Sequence, residues 1–134
     1  MSYLLDTNTC IRLLNQDQNS SVAQRLSTHK PADILLCSIV KAELYYGAYK
    51  SLRREQNLAK LERFFSQFYS LPFDNQAAFQ AGKVRAQLTA MGTPIGPNDL
   101  LIAAIALTNS LVLVTHNTKE FTRIAGLQIE DWES

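Results

Sequence analysis

Leu111-Val112-Leu113-Val114 is apolar at every position, and the run ends at Thr115-His116-Asn117. A strand with one wet face would alternate, so a strand apolar on both sides belongs at the centre of a sheet covered on both faces. Working outward from Leu111–Thr115, further strand-like runs occur at Tyr3–Leu5, Ile34–Cys37, Leu71–Phe73 and Leu127–Glu130. Segments of helical period separate them. Such alternation reads as βαβ units around a parallel sheet, an α/β fold.

The intervening helices carry their own start and stop signals. Ser20 or Ser21 is placed to cap a helix bearing Val22, Ala23 and Leu26, and Ser38 to cap another that runs to about Gly47. Leu58, Leu61, Phe64, Phe65 and Phe68 recur at three- and four-residue steps, which predicts an amphipathic helix with an aromatic face. Most of that face belongs in the core, with part left for a dimer or partner contact. Asp74 or Asn75 opens the next helix, Gly92 closes it, and Pro97-Asn98 precede the apolar helix Leu100–Leu107.

No repeat, linker or shift of composition divides the 134 residues, so a single domain over 1–134 is expected. The balance of 13 Lys and Arg against 12 Asp and Glu leaves a net charge of +1, which argues against a broad cationic nucleic-acid binder. The cations of Lys50 to Arg54 read first as a solvated helix face, and second as a grip on RNA phosphates. The apolar run Leu100–Leu107 is far shorter than the roughly 20 residues of a membrane span. Met1 to Asp6 lacks a basic region and meets an acid at once, so a signal peptide is not expected and a cytoplasmic location is. Cys10 and Cys37 lack metal-site spacing and read as buried thiols.

In open α/β sheets, ligands bind beyond the carboxyl ends of the strands. Asp6-Thr7-Asn8 follows the first strand, and the plainer reading of Asp6 or Thr7 is a cap on a short helix around Cys10–Leu14. Glu43 falls on the stripe of Ile39, Val40, Leu44 and Gly47, where a charge needs a cation or an escape to solvent. Asp99 opens the most hydrophobic helix, where it suits the helix dipole and equally a metal. Asn117 and Glu120 follow the Leu111–Thr115 strand, and Glu120 could equally be a surface residue. Together these acids describe a hard-cation site suited to Mg²⁺ or Mn²⁺. No Gly-rich phosphate loop and no nucleophile elbow competes with that reading.

Four ordered motifs carry a family resemblance across essentially the whole chain. They are Leu4-Leu5-Asp6-Thr7-Asn8, then Ser38 to Leu44 with Glu43 and Gly47, then Asp99-Leu100-Leu101-Ile102-Ala103-Ala104. The fourth runs from Leu113 through Phe121, with Gly126 and the closing Glu130-Asp131-Trp132. The sequence resembles the PIN-domain ribonucleases, and within them the VapC toxins of toxin–antitoxin pairs. The resemblance implies a three-layer α/β/α sandwich with a central, mainly parallel sheet. It implies a metal-dependent endoribonuclease acting on structured RNA such as tRNA, restrained by a cognate VapB-type protein antitoxin and usually homodimeric.

On this resemblance Asp6, Glu43 and Asp99 hold one or two Mg²⁺ ions, with Mn²⁺ as an alternative. Glu120 stands as the fourth acid, because many PIN domains carry an aspartate where this chain has Asn117. Thr7, Asn8, Thr115 and Asn117 support the carboxylates. Crowded acids without a cation should also have raised pKa values. Two other readings stay open: a PIN-like binding module without catalysis, and a housekeeping nuclease without an antitoxin.

Overall fold

The computed structural model describes residues 1–15 and 19–133. Five strands, β1 (Tyr3–Leu5), β2 (Ile34–Cys37), β3 (Tyr69–Leu71), β4 (Val112–Val114) and β5 (Ile129–Glu130), form one sheet in the order β3-β2-β1-β4-β5. Every pairing is parallel, so the sheet is wholly rather than mainly parallel. The strand order reverses beside β1. The first three strands step away on one side and β4 lies on the other, with Leu5 in register with Val114.

Among the described residues, seven α-helices connect the strands: α1 (Thr7–Asn15), α2 (Ser21–Ser27), α3 (Ser38–Tyr49), α4 (Arg54–Phe65), α5 (Asn75–Ala90), α6 (Pro97–Thr108) and α7 (Thr118–Phe121). Among the helices, α3 packs against α1 and α4, and α5 packs against α6. The central strands β1 and β4 are buried at every residue, whereas the edge strand β3 exposes Tyr69 and Ser70. The core joins Leu4, Leu36, Leu113 and Val114 of the sheet to Ile102 and Ile105 of α6. Six of the twelve residues of α6 are buried, as its apolar sequence requires. From α4, Leu61, Phe64 and Phe65 are buried and Phe68 packs against them.

Local signals set most boundaries. The Ser20 hydroxyl accepts from the Ala23 N–H at 3.1 Å, and the Asp74 carboxylate accepts from the Ala77 N–H at 2.9 Å. Gly92 closes α5 with φ of +71°, a conformation that favours glycine.

Two expectations need correction. The third strand is Tyr69–Leu71 rather than Leu71–Phe73, because Pro72 has no N–H to give a ladder. Ser38 does not cap α3; its hydroxyl accepts from the Phe73 N–H at 3.2 Å and ties the end of β3 to the start of α3.

The chain closes as a strap. After β5, Trp132 folds back into the core at 1% exposure and lies beside Tyr3 and His29, its ring parallel to His29 with centroids 5.2 Å apart. Arg12 pairs with Glu133 and Arg25 with Glu130, at 3.0 and 3.1 Å. No helix is long and apolar enough to cross a membrane among the described residues.

Candidate active site

The point where a parallel sheet reverses its strand order leaves a crevice at the carboxyl ends. Here it lies between β1 and β4, and Asp6 is the first residue past β1. The Asp6 N–H donates to the Val114 carbonyl at 3.1 Å, so the ladder itself fixes its backbone. Its carboxylate accepts from the Thr9 N–H at 2.9 Å, capping α1. The capping and cleft readings of Asp6 are therefore compatible. Thr9, which the sequence reading passed over, also donates its hydroxyl to the Val114 carbonyl at 3.2 Å. Asp6 is buried at 5% exposure. Burial pushes its carboxyl above the usual range, and hydrogen bonds from the Thr115 hydroxyl and from Thr9 restrain the rise.

Glu43 sits half-buried in the second turn of α3. Its Oε1 accepts from the Thr7 hydroxyl at 2.6 Å, which joins α1 to α3 across the cleft. Thr115, buried just beyond β4, accepts from the Asn117 N–H at 3.0 Å while bonding Asp6. Asn8 is exposed on α1 and makes no side-chain hydrogen bond among the described residues.

Asp99 and Glu120 form a hydrogen-bonded pair. Asp99 lies in the first turn of α6, whose cap position is Gly96, so Asp99 is free to face the cleft. Its carboxyl is pushed up to about 6, first by burial and then by the charge and hydrogen bond of Glu120, with Asp6 and Glu43 adding to the rise. Glu120 goes the other way. Its partial burial would raise it, but the Gly96 N–H, the Asn117 amide, Asp99 and the Arg123 charge outweigh that and hold it below the ordinary range. The Gly96 N–H donates to Oε1 at 2.9 Å and the Asn117 amide to Oε2 at 3.0 Å. The rise expected for crowded acids thus contributes at Asp99, whereas burial raises Asp6 and the direction reverses at Glu120.

The four acids come from four different elements and influence one another, yet none of the ion pairs among the described residues involves them. As they stand, no three His, Cys, Asp or Glu side chains among the described residues are grouped to hold a metal ion. The donor chemistry nevertheless fits a hard divalent cation: carboxylate oxygens only, with Asp6, Glu43 and Glu120 oriented by neutral donors, Asp99 by Glu120, and the repulsion among the acids adding to the burial at Asp99. Beneath them lie the buried thiols of Cys10 and Cys37, which burial keeps neutral.

Two contributions gave little sequence signal. Gly96 reaches Glu120 across 24 residues, and the Glu133 charge adds to the rise at Asp6 from the far end of the chain. Thr9, three residues beyond Asp6, was legible as the partner of an aspartate cap.

The profile of the PIN domain family matches residues 3–127, and the chain belongs to that family. Among characterised relatives it is similar to the tRNA(fMet)-specific endonuclease VapC of Salmonella typhimurium, 44% identical over 133 residues and 98% of each chain. It is also similar to ribonuclease VapC2 of Rickettsia felis, 41% identical over 99% of each chain. The likeness extends to structure. DNA-bound VapBC from Salmonella typhimurium matches with a TM-score of 0.92 at 43% identity, over 98% of both chains. VapBC-1 from nontypeable Haemophilus influenzae matches at 0.89 and 38% identity, over the full length of both. Within the PIN domains, this is a VapC-type chain.

Proposed function

We propose that the protein is the ribonuclease toxin of a toxin–antitoxin pair, a metal-dependent endoribonuclease that hydrolyses phosphodiester bonds in tRNA to stop translation. The observation that carries this reading is the meeting of Asp6, Glu43, Asp99 and Glu120 at one crevice, with no direct ion pair to any of them among the described residues. A tRNA substrate accords with the tRNA(fMet)-specific relatives, and a VapB-type antitoxin with the VapBC complexes of similar structure. The whole chain acts as one PIN domain, as a homodimer, in the cytoplasm.

In this reading Asp6, Glu43 and Asp99 hold the Mg²⁺ or Mn²⁺. When bound, such an ion neutralises phosphate charge and makes water more acidic. Thr7 fixes the rotamer of Glu43, and Thr115 with the Thr9 N–H fixes Asp6. Glu120, held ionised by Gly96 and Asn117, accepts a hydrogen bond from the attacking water and turns its oxygen toward phosphorus. The new bond joins the water oxygen to phosphorus, the bond to the 3′ oxygen breaks, and the proton lost by water ends on the leaving group. Asn117 thus serves as the donor that orients the fourth acid.

Cleavage of labelled tRNA by the purified protein in Mg²⁺ tests this directly. Asp6→Asn and Asp99→Asn should each lower the rate by on the order of 10²–10³-fold, the scale for losing one group that stabilises developing charge. Equal cleavage by the variants and the unsubstituted protein would refute the assignment.

A further inference from the structure

The acidic cleft does not account for the far end of α3 and the turn into α4. Three of the protein's exposed large hydrophobic side chains fall within seven residues there: Tyr46 at 66%, Tyr49 at 55% and Leu52 at 105% exposure. Cations sit over both rings, Lys50 Nζ 5.1 Å from the Tyr46 centroid and the Arg54 guanidinium 6.0 Å from that of Tyr49. Arg53 is exposed between them. None of these three cations is ion-paired among the described residues.

Helical spacing ties this patch to the cleft. Glu43, Tyr46, Gly47 and Lys50 follow the i, i+3, i+4, i+7 pattern and share one face of α3. At a rise of about 1.5 Å per residue, Tyr46 lies about 4.5 Å and Lys50 about 10 Å beyond Glu43 along the axis. A cavity of about 270 Å³ between α1, α3 and α4 opens beside Glu43 and Gly47 and is bordered by Lys60, without reaching the two rings. Glycine inside a helix is unfavourable, and packing does not demand it at 47, because a Cβ there would meet nothing within 4 Å. The missing side chain leaves the helix surface open to close approach between the acid and the rings.

We propose that Tyr46 and Tyr49, with Lys50, Arg53 and Arg54, form a stacking platform that holds unpaired RNA bases beside the cleft. Exposed rings with interleaved unpaired cations match the two parts of a single strand, base faces and phosphates. The same cations disfavour a basic peptide, and the ring faces distinguish the patch from a simple phosphate rail. The assignment rests on the nuclease reading and adds to it where the substrate's loop is held.

The test is anisotropy of a labelled tRNA(fMet) transcript with the full-length protein in EDTA, with a fully paired RNA duplex as second probe and tRNA cleavage in Mg²⁺ read in parallel. Y46A/Y49A should weaken tRNA binding about tenfold and leave duplex binding unchanged, because paired bases offer no free face. Y46F/Y49F, which keeps both rings, should bind as the unsubstituted protein does. K50A/R53A/R54A should reduce the slope of log affinity against log salt by about 2, at about 0.7 per lost contact. Unchanged tRNA binding by Y46A/Y49A overturns the platform, as does absence of tRNA binding by the unsubstituted protein. Loss of antitoxin binding with RNA binding intact also overturns it and marks a protein-docking face. If tRNA binds with the tyrosine dependence but is never cleaved, the nuclease reading fails and the platform stands.

Discussion

The cleft and the C-terminal strap are built from the same residue types and treat them in opposite ways. In the strap, Glu130 meets Arg25 and Glu133 meets Arg12, at 3.1 and 3.0 Å, while Asp131 hydrogen-bonds the His116 ring at 3.0 Å. In the cleft, Asp6, Glu43, Asp99 and Glu120 receive only hydroxyl, amide and backbone donors and one another. A carboxylate that closes a fold is given its cation by the chain. One that binds a cation from outside must be oriented without being neutralised. The strap also carries its stability in an apolar anchor, Trp132, whose indole N–H donates to Glu130 at 3.0 Å.

The comparison breaks most visibly at Trp132. Trp132→Ala should cost about 3–5 kcal/mol, as for other buried large-to-small changes, since the ring is lost from between Tyr3 and His29. Denaturant unfolding measures this. The fraction that remains folded should need the same Mg²⁺ concentration for cleavage as the unsubstituted protein. A changed metal requirement would mean that the strap and the cleft are one unit, a connection for which the Glu133 charge near Asp6 is the route.

Much of this contrast was readable in the chain before any coordinates. β1, β2 and the all-apolar β4 were legible because covered strands leave no polar positions, and two of the four acids, Asp6 and Asp99, stand directly after a strand or at the head of an apolar helix. Pro72 was a stop signal that the apolar run around Leu71 concealed, so β3 shifted by two residues. The opposite behaviour of Asp99 and Glu120 was not legible. It depends on the Gly96 N–H meeting a side chain 24 residues away, and no spacing rule encodes such a contact. The strap was quoted as a motif, but its role as a set of ion pairs depends on Arg12 and Arg25 in distant helices.

Thr7→Val sharpens the comparison with a smaller effect. It removes the 2.6 Å hydroxyl donor from Glu43 while keeping the branched shape. An acid held by a cation would not depend on so slight a partner; one held only by neutral donors should. The Mg²⁺ needed for half-maximal cleavage should rise about 10–100-fold, as for other partners that orient metal ligands. A metal titration of tRNA cleavage decides it, and an unchanged midpoint would show that Glu43 is positioned by its helix alone.

The smallest effect is on stability against pH without metal. Asp99 is pushed from the ordinary 3.8 to about 6, so its ionised form is disfavoured in the folded protein. Below about pH 4 the group is protonated in both states and adds no penalty. As pH rises towards 6 the unfolded chain loses this proton first, so stability falls across that interval, and above it the penalty is complete. The group is only half-buried, and solvent screens the effect. Thermal melts from pH 4 to 7 in EDTA should therefore slope gently downward, and Asp99→Asn should flatten most of that slope. Mg²⁺ should stabilise the unsubstituted protein more at pH 7 than at pH 5, because an external cation then offsets a charge that the chain itself leaves unpaired. A slope unchanged by Asp99→Asn would place the repulsion elsewhere in the cleft and remove the electrostatic distinction between it and the strap.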